Sequence, residues 1–97
     1  MGKKAETSRT INIEQRAKVF KALSDATRLR IVEMLSDREA MCGSEMAERL
    51  GISLALLCHH WRTLEHAGLI TKKKAGQVAT ISLNQQLLAD CLKGLRD

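Results

Sequence analysis

One stretch constrains this chain more than any other: SEMAERLGISLALLCHHWRTL, Ser44 to Leu64. Two short helices can cross closely only where the contact residue is small, and Ala47 is small. The bend between them needs a backbone of positive φ, which carries no Cβ penalty at glycine, and Gly51 stands four residues on. The second helix must bury one face, and Leu57, Trp61 and Leu64 recur at the i, i+4, i+7 spacing. The pattern predicts a helix-turn-helix. Its short helix covers Ser44 to Leu50, and its longer one is capped by Ser53, runs to Ala67 and is closed by Gly68.

The flanking segments extend the layout. Asn12, with Gln15 three residues later, opens a first helix whose Ile13, Ala17, Phe20 and Leu23 mark one apolar face. Ser24 and Asp25 can cap a second. Its Leu29, Ile31, Val32, Met34 and Leu35 make the wide apolar surface expected of the most buried helix, and Ser36-Asp37-Arg38 ends it. Past Gly68 the period drops to two. Leu69 to Lys74 and Gln77 to Leu83 are expected strands about an Ala75-Gly76 turn, with Ala79, Ile81 and Leu83 on one side of the second strand. Asn84 caps a last helix carrying Leu87, Leu88, Cys91, Leu92 and Leu95. The expected fold is mainly α with a small β-hairpin wing, a winged helix-turn-helix in the order ααααββα. It occupies residues 12–97, behind a mobile basic tail over residues 1–11.

Composition narrows the function. At 97 residues the chain is one small domain, with a thin core that buries only roughly two-thirds of the unfolded surface. Phe20 and Trp61 are the only aromatics, so that core must be aliphatic. The net charge of +5, from 16 Lys and Arg against 11 Asp and Glu, suits a polyanionic partner. No apolar run spans a bilayer, and MGKKAETSRT holds no apolar signal core. Three cysteines without framework spacing point to reduced thiols, so a cytoplasmic protein without membrane contact is expected. No Ser-His-Asp, paired-carboxylate or phosphate-loop constellation is present. The chain is therefore not expected to be an enzyme or to need a cofactor.

The segments FKALSDATRLRIVEMLSD, SEMAERLGIS, HHWRTLEHAGLI and ISLN together resemble the ArsR/SmtB-type winged-helix repressors, over about Val19 to Asn84 and loosely through the last helix. The resemblance implies a cytosolic, bacterial-type repressor that binds double-stranded operator DNA as a homodimer. It also implies release by an inducer, often a metal ion and sometimes an oxidant or another signal. The family's first turn of the reading helix is usually more polar. Leu54, Ala55, Leu56 and Cys58 depart from that pattern here.

Wound as a helix, the reading segment turns Leu57, Trp61 and Leu64 inward. Ala55, Cys58, His59, Arg62 and His66 are expected on the opposite side, with Leu54 near the tip. Most affinity for DNA comes from neutralising phosphates, which needs cations rather than readers. Ser53 and the helix N-terminus can hold a phosphate. Arg62 and the hairpin's Lys72, Lys73 and Lys74 supply charge, with Gln77 beside the turn. Leu54 and Ala55 can pack on thymine methyls, His59 and Arg62 can donate to base edges, and DNA shape carries the rest of the specificity. Two rival readings stand beside this one: a protein-interaction module using the leucine-rich helix, and a thiol-based redox repressor.

The family's metal site at the third helix uses Cys-x-Cys. The chain has Cys42-Gly43-Ser44, and one thiol is not a soft-metal site. The last helix offers Asp90 and Asp97 but no His, so no high-affinity zinc site is expected. His59 and His60 point about 100° apart on a helix and do not make a ligand pair. His60 is expected to pack at a helix contact and His66 to be solvated. The candidate sensor thiols are Cys42, Cys58 and Cys91. At Cys58, beside His59 and Arg62, oxidation or a mixed disulfide would set bulk or charge against DNA, although the residue is also a plain substitute for serine. Cys91 lies among leucines, as a core or interface thiol would. The expected dimer interface is the stripe of Leu88, Cys91, Leu92 and Leu95, with Ile13 and Phe20 from the first helix.

Overall fold

The computed structural model describes residues 12–96, so the tail expected over residues 1–11 lies outside the described residues. The elements are α1 (Ile13–Ala22), α2 (Ala26–Leu35), β1 (Met41–Cys42), α3 (Gly43–Leu50), α4 (Leu54–His66), β2 (Ile70–Ala75), β3 (Val78–Leu83) and α5 (Gln85–Arg96). The five helices and the hairpin wing stand in the expected order. The addition is β1, two residues long, which pairs antiparallel with β3 through Met41↔Ile81 and Cys42↔Thr80. The sheet therefore has three strands in the order β1-β3-β2.

Side-chain caps set where the helices begin. Asn12 accepts from the Gln15 N–H at 2.7 Å, Asp25 from Arg28 at 3.0 Å, Ser53 from Leu56 at 3.0 Å and Asn84 from Leu87 at 3.1 Å. Each satisfies one of the donors that a helix start leaves free. Ser24 does not cap α2; its hydroxyl donates to the Lys21 carbonyl at 2.7 Å and closes α1. At the other end of α3, Gly51 takes φ +69°, and the Ile52 N–H reaches the Ala47 carbonyl at 3.1 Å. That bond turns the chain sharply into α4, as a Schellman cap does. The wing turn is Gly76-Gln77, flanked by the pair Ala75↔Val78, one residue later than expected. Only Gly76 has positive φ, at +65°, which is the type II′ pattern with glycine as first central residue.

The core is aliphatic around Trp61. Val19, Ile31, Leu35, Met46, Leu57, Leu64, Leu69 and Ile81 are all fully buried within it. Three expected faces are redrawn. On α1 the buried residues are Val19 and Ala22, while Ile13 is 70% exposed and Ala17 is exposed. Leu23 and Phe20 pack at the edge of the core. On α2, Ile31, Val32 and Leu35 are buried but Leu29 is exposed. On α5 the single expected stripe is two. Leu87 and Cys91, four apart, face the domain; Leu88 is half-buried, and Leu92 and Leu95 turn outward. Cys91 is fully buried within its own chain and so is a core thiol, not part of a surface for a partner.

Candidate nucleic-acid interface

Helix α4 packs its Leu57–Trp61–Leu64 side on α2, α3 and the wing. Ala55, His59, Arg62 and His66 are exposed on the opposite side, and Leu54, at the tip, is 53% exposed. Cys58 is a correction. It is half-buried and packs against the core, not on the outer face. The helical step of about 100° places it beside Leu57 and three residues before Trp61, on the flank of the inner side. Leu54 shares that flank, and His60 lies on the other.

His60 is the pivot of a polar tie that sequence reasoning missed. Its Nδ1 lies 3.4 Å from an Arg28 guanidinium nitrogen and 3.8 Å from an Asp25 carboxylate oxygen. Arg28 Nε also donates to the Ala22 carbonyl at 2.8 Å. The end of α1, the start of α2 and the middle of α4 are thus joined, which orients α4 in the domain. Asp25 is held below the ordinary carboxylate range. The main cause is the hydrogen bond from the Arg28 backbone N–H, which desolvation opposes and the Arg28 and His60 charges assist. The capping role of Asp25 was visible from its position before a helix; a partner 35 residues away was not.

The wing lysines are all exposed, but strand register divides them. Lys72 pairs with Ile81 and Lys74 with Ala79, so both share the sheet face of the buried Ile81; Lys73 pairs with Thr80 on the other face. Lys72 Nζ sits 5.8 Å from the centroid of the Trp61 ring, a cation–π contact between wing and reading helix.

A cleft of about 310 Å³ opens where the wing meets the starts of α3 and α4. It brings together Leu54, Cys58, Lys72, Lys74 and Gln77 with Cys42, which the sequence had set apart from the reading helix. Ala55, His59 and Arg62 lie outside it. Cys42 Sγ is 3.1 Å from the Ser44 hydroxyl. That contact, and then the nearby Glu45 and Ser44 N–H groups, lower the thiol from its ordinary value against partial burial and the Glu45 charge. Burial pushes the Cys91 thiol the other way. Among the described residues, no three of His, Cys, Asp and Glu converge, and no helix is long and apolar enough to cross a membrane.

Comparison with known proteins bears on this geometry. A family described as "Helix-turn-helix domain" matches residues 23–73, from the end of α1 into β2. The HTH-type transcriptional regulator YceK of Bacillus subtilis (strain 168) is 37% identical over 81 residues, which cover 81% of this chain and 80% of YceK. The transcriptional repressor SdpR of the same organism is 36% identical over 74 residues, covering 76% and 81% of the two chains. A crystal structure of an ArsR family transcriptional regulator superposes with a TM-score of 0.78 at 29% identity, over 90% of this chain and 89% of that one. A homodimeric winged helix-turn-helix DNA-binding domain from Mycobacterium bovis, a possible ArsR-family regulator, superposes with a TM-score of 0.72 at 21% identity, over 86% and 78% of the chains, and shows likeness of fold.

Proposed function

We propose a DNA-binding mode for this chain, which belongs to the ArsR-type family of winged helix-turn-helix transcriptional repressors. The family makes it a DNA-binding regulator of transcription and not an enzyme. In the proposed mode the outer face of α4 enters the major groove and the wing grips the flanking backbone. The observation that supports this most is exposed chemistry on two elements that touch: Ala55, His59 and Arg62 stand exposed on α4, the lysine run stands exposed on β2, and α4 packs against β2.

The reading helix has few donors, so phosphate contacts carry most of the affinity. Ser53 and the start of α4 face one phosphate, and Arg62, Lys72, Lys73 and Lys74 supply the cations. Gln77 at the turn adds a neutral donor. Leu54 and Ala55 meet thymine methyls, His59 and Arg62 donate to base edges, and the remaining specificity comes from DNA shape. Cys58, on the flank, does not contact bases in this mode.

The repressor acts as a homodimer in the cytoplasm. Ile13, Phe20, Leu88, Leu92 and Leu95 leave an apolar margin along α1 and α5, and the M. bovis domain of the same fold is a homodimer. A two-fold pair places the two α4 helices about one DNA turn, ~34–36 Å, or a multiple apart, and so selects a palindromic operator. The test is fluorescence anisotropy of the reduced protein on DNA from upstream of its own gene, with scrambled DNA and a salt series. Preference for the upstream DNA with affinity falling steeply in salt is expected. Equal, salt-insensitive binding to both DNAs would reject this mode and favour a protein partner for α4.

A further inference from the structure

We propose that the cleft between the wing and the starts of α3 and α4 is where this repressor is induced: Cys42 forms a mixed disulfide there with a small anionic disulfide, and the adduct releases the operator. The inference rests on the DNA-binding mode above and names the chemical class of its inducer.

The lining of the cleft selects the ligand. It holds two thiols, the Ser44 hydroxyl, the Gln77 amide and the ammonium groups of Lys72 and Lys74, without a carboxylate. Its volume of about 310 Å³ is at the lower end of the range of small-molecule sites. A group that fits is therefore small and negatively charged. Trp61 forms an apolar wall and is only 3% exposed. Its indole N–H is buried without a partner among the described residues. Gly43 lies flat against the same ring: a Cβ there would fall 2.6 Å from Trp61 Cη2. The cleft thus has an apolar wall with a close backbone approach beside the thiol.

Placement chooses Cys42 among the three cysteines. Cys91 is fully buried. Cys58 lines the same cleft, but among the described residues no hydrogen bond reaches its thiol. Cys42 has the Ser44 hydroxyl at 3.1 Å and precedes the first turn of α3. Positive helix ends and hydroxyl donors favour the thiolate, the form that attacks. The same influences hold Cys42 below the ordinary thiol range.

In the reaction the Cys42 thiolate attacks one sulfur of R–S–S–R. The Cys42–S–S–R bond forms, the original S–S bond breaks, and R–S⁻ leaves with the electron pair and takes up a proton from solvent. The Cys42 sulfur is oxidised and the departing half of the disulfide is reduced; excess thiol reverses the exchange. The adduct then occupies the space between Leu54 of α4 and Lys72 and Lys74 of β2, the two elements that grip DNA. Its negative charge lies against the lysines that would otherwise meet phosphate.

The test treats the reduced protein with oxidised glutathione, an anionic disulfide, and with cystamine, a cationic one. Intact-mass and peptide mass spectrometry follow the adducts, and anisotropy follows the DNA. One glutathione per chain on Cys42 is expected, forming on the order of tenfold faster than the cystamine adduct. Operator affinity should fall at least about tenfold and return with dithiothreitol. Cys42→Ser should abolish the adduct and leave DNA binding insensitive to glutathione disulfide, while Cys58→Ser should still form it. Ser44→Ala should move the pH midpoint of Cys42 alkylation upward, which separates thiolate stabilisation from simple access. A first adduct on Cys58 or Cys91, equal rates for the two disulfides, or a Cys42 adduct that leaves DNA binding intact would overturn the proposal. Reduced protein that binds no DNA would defeat the operator reading and induction with it, while the adduct map still judges the cleft by itself.

Discussion

Gly43 has no side chain because Trp61 occupies the place where one would go. The hypothetical Cβ lies 2.6 Å from one indole carbon and 3.2 Å from the next, and Gly43 is itself buried. Gly43→Ala must therefore push the ring or the start of α3. Overpacking of this kind costs about 1–3 kcal/mol. Trp61 is the only tryptophan, so a shifted emission maximum and a lower urea midpoint should appear together; a variant as stable as the parent would show that the ring yields freely. Asp25 tests a different kind of contact. Its folded carboxyl is depressed, chiefly by the Arg28 N–H it caps. Stability from it is therefore fully present above the ordinary carboxylate value and lost as pH falls through its own lowered value. Asp25→Asn keeps a capping oxygen but cannot titrate. Urea unfolding from neutral into acid pH should show a shallower loss of stability in Asp25→Asn than in the parent. Parallel curves would remove Asp25 from the acid response.

Elements were legible where a period or a cap wrote them. Asn12, Asp25, Ser53 and Asn84 all cap as their positions suggested, and Gly51 turns the chain between α3 and α4. What failed was information that a single segment does not contain. β1 is two residues long and has no period; it exists because β3 pairs with it. The buried face of α1 was misplaced because Val19 and Ala22 are small and Phe20 is conspicuous, yet α1 must fit against α4 and α5. The cleft was invisible, since Cys42 and Lys74 come together only through the fold. The wing lysines looked equivalent until register set Lys73 apart from Lys72 and Lys74. That division gives a prediction for the interface. Lys73 lies on the sheet face away from the cleft, and among the described residues no ion pair engages it, so its charge can meet a phosphate. Arg62 is exposed on the outer face of α4. Lys73→Ala and Arg62→Ala should each weaken operator binding and reduce the slope of log affinity against log salt by about one. An unchanged slope in both would place DNA on another surface.

At the scale of the whole molecule the deciding feature is how α5 divides its leucines. Leu87 and Cys91 complete the protomer core, whereas Leu92 and Leu95 lie outside it, Leu95 at 65% exposure, comparable to Ile13 on α1. A domain this small has little apolar surface to spare for solvent, and the outward leucines of α5 are the face that the proposed dimer would cover. Because the two faces of α5 are separate, assembly can be broken without breaking the fold. Leu92→Glu combined with Leu95→Glu leaves the core face untouched and sets four like charges across a two-fold axis. Sedimentation equilibrium at micromolar concentration should find the parent as a dimer and the double variant as a monomer with the parent's helical circular dichroism. The consequence for DNA follows from linkage of two half-sites. A dimer binds its second half-site at the high effective concentration set by the first, and a monomer forfeits that gain. Operator affinity should therefore fall by about two orders of magnitude or more, while binding to a single half-site changes little. A parent protein that sediments as a monomer would assign Leu92 and Leu95 to another contact. A double variant that still binds the full operator tightly would mean that each α4 reads its half-site without help from the other.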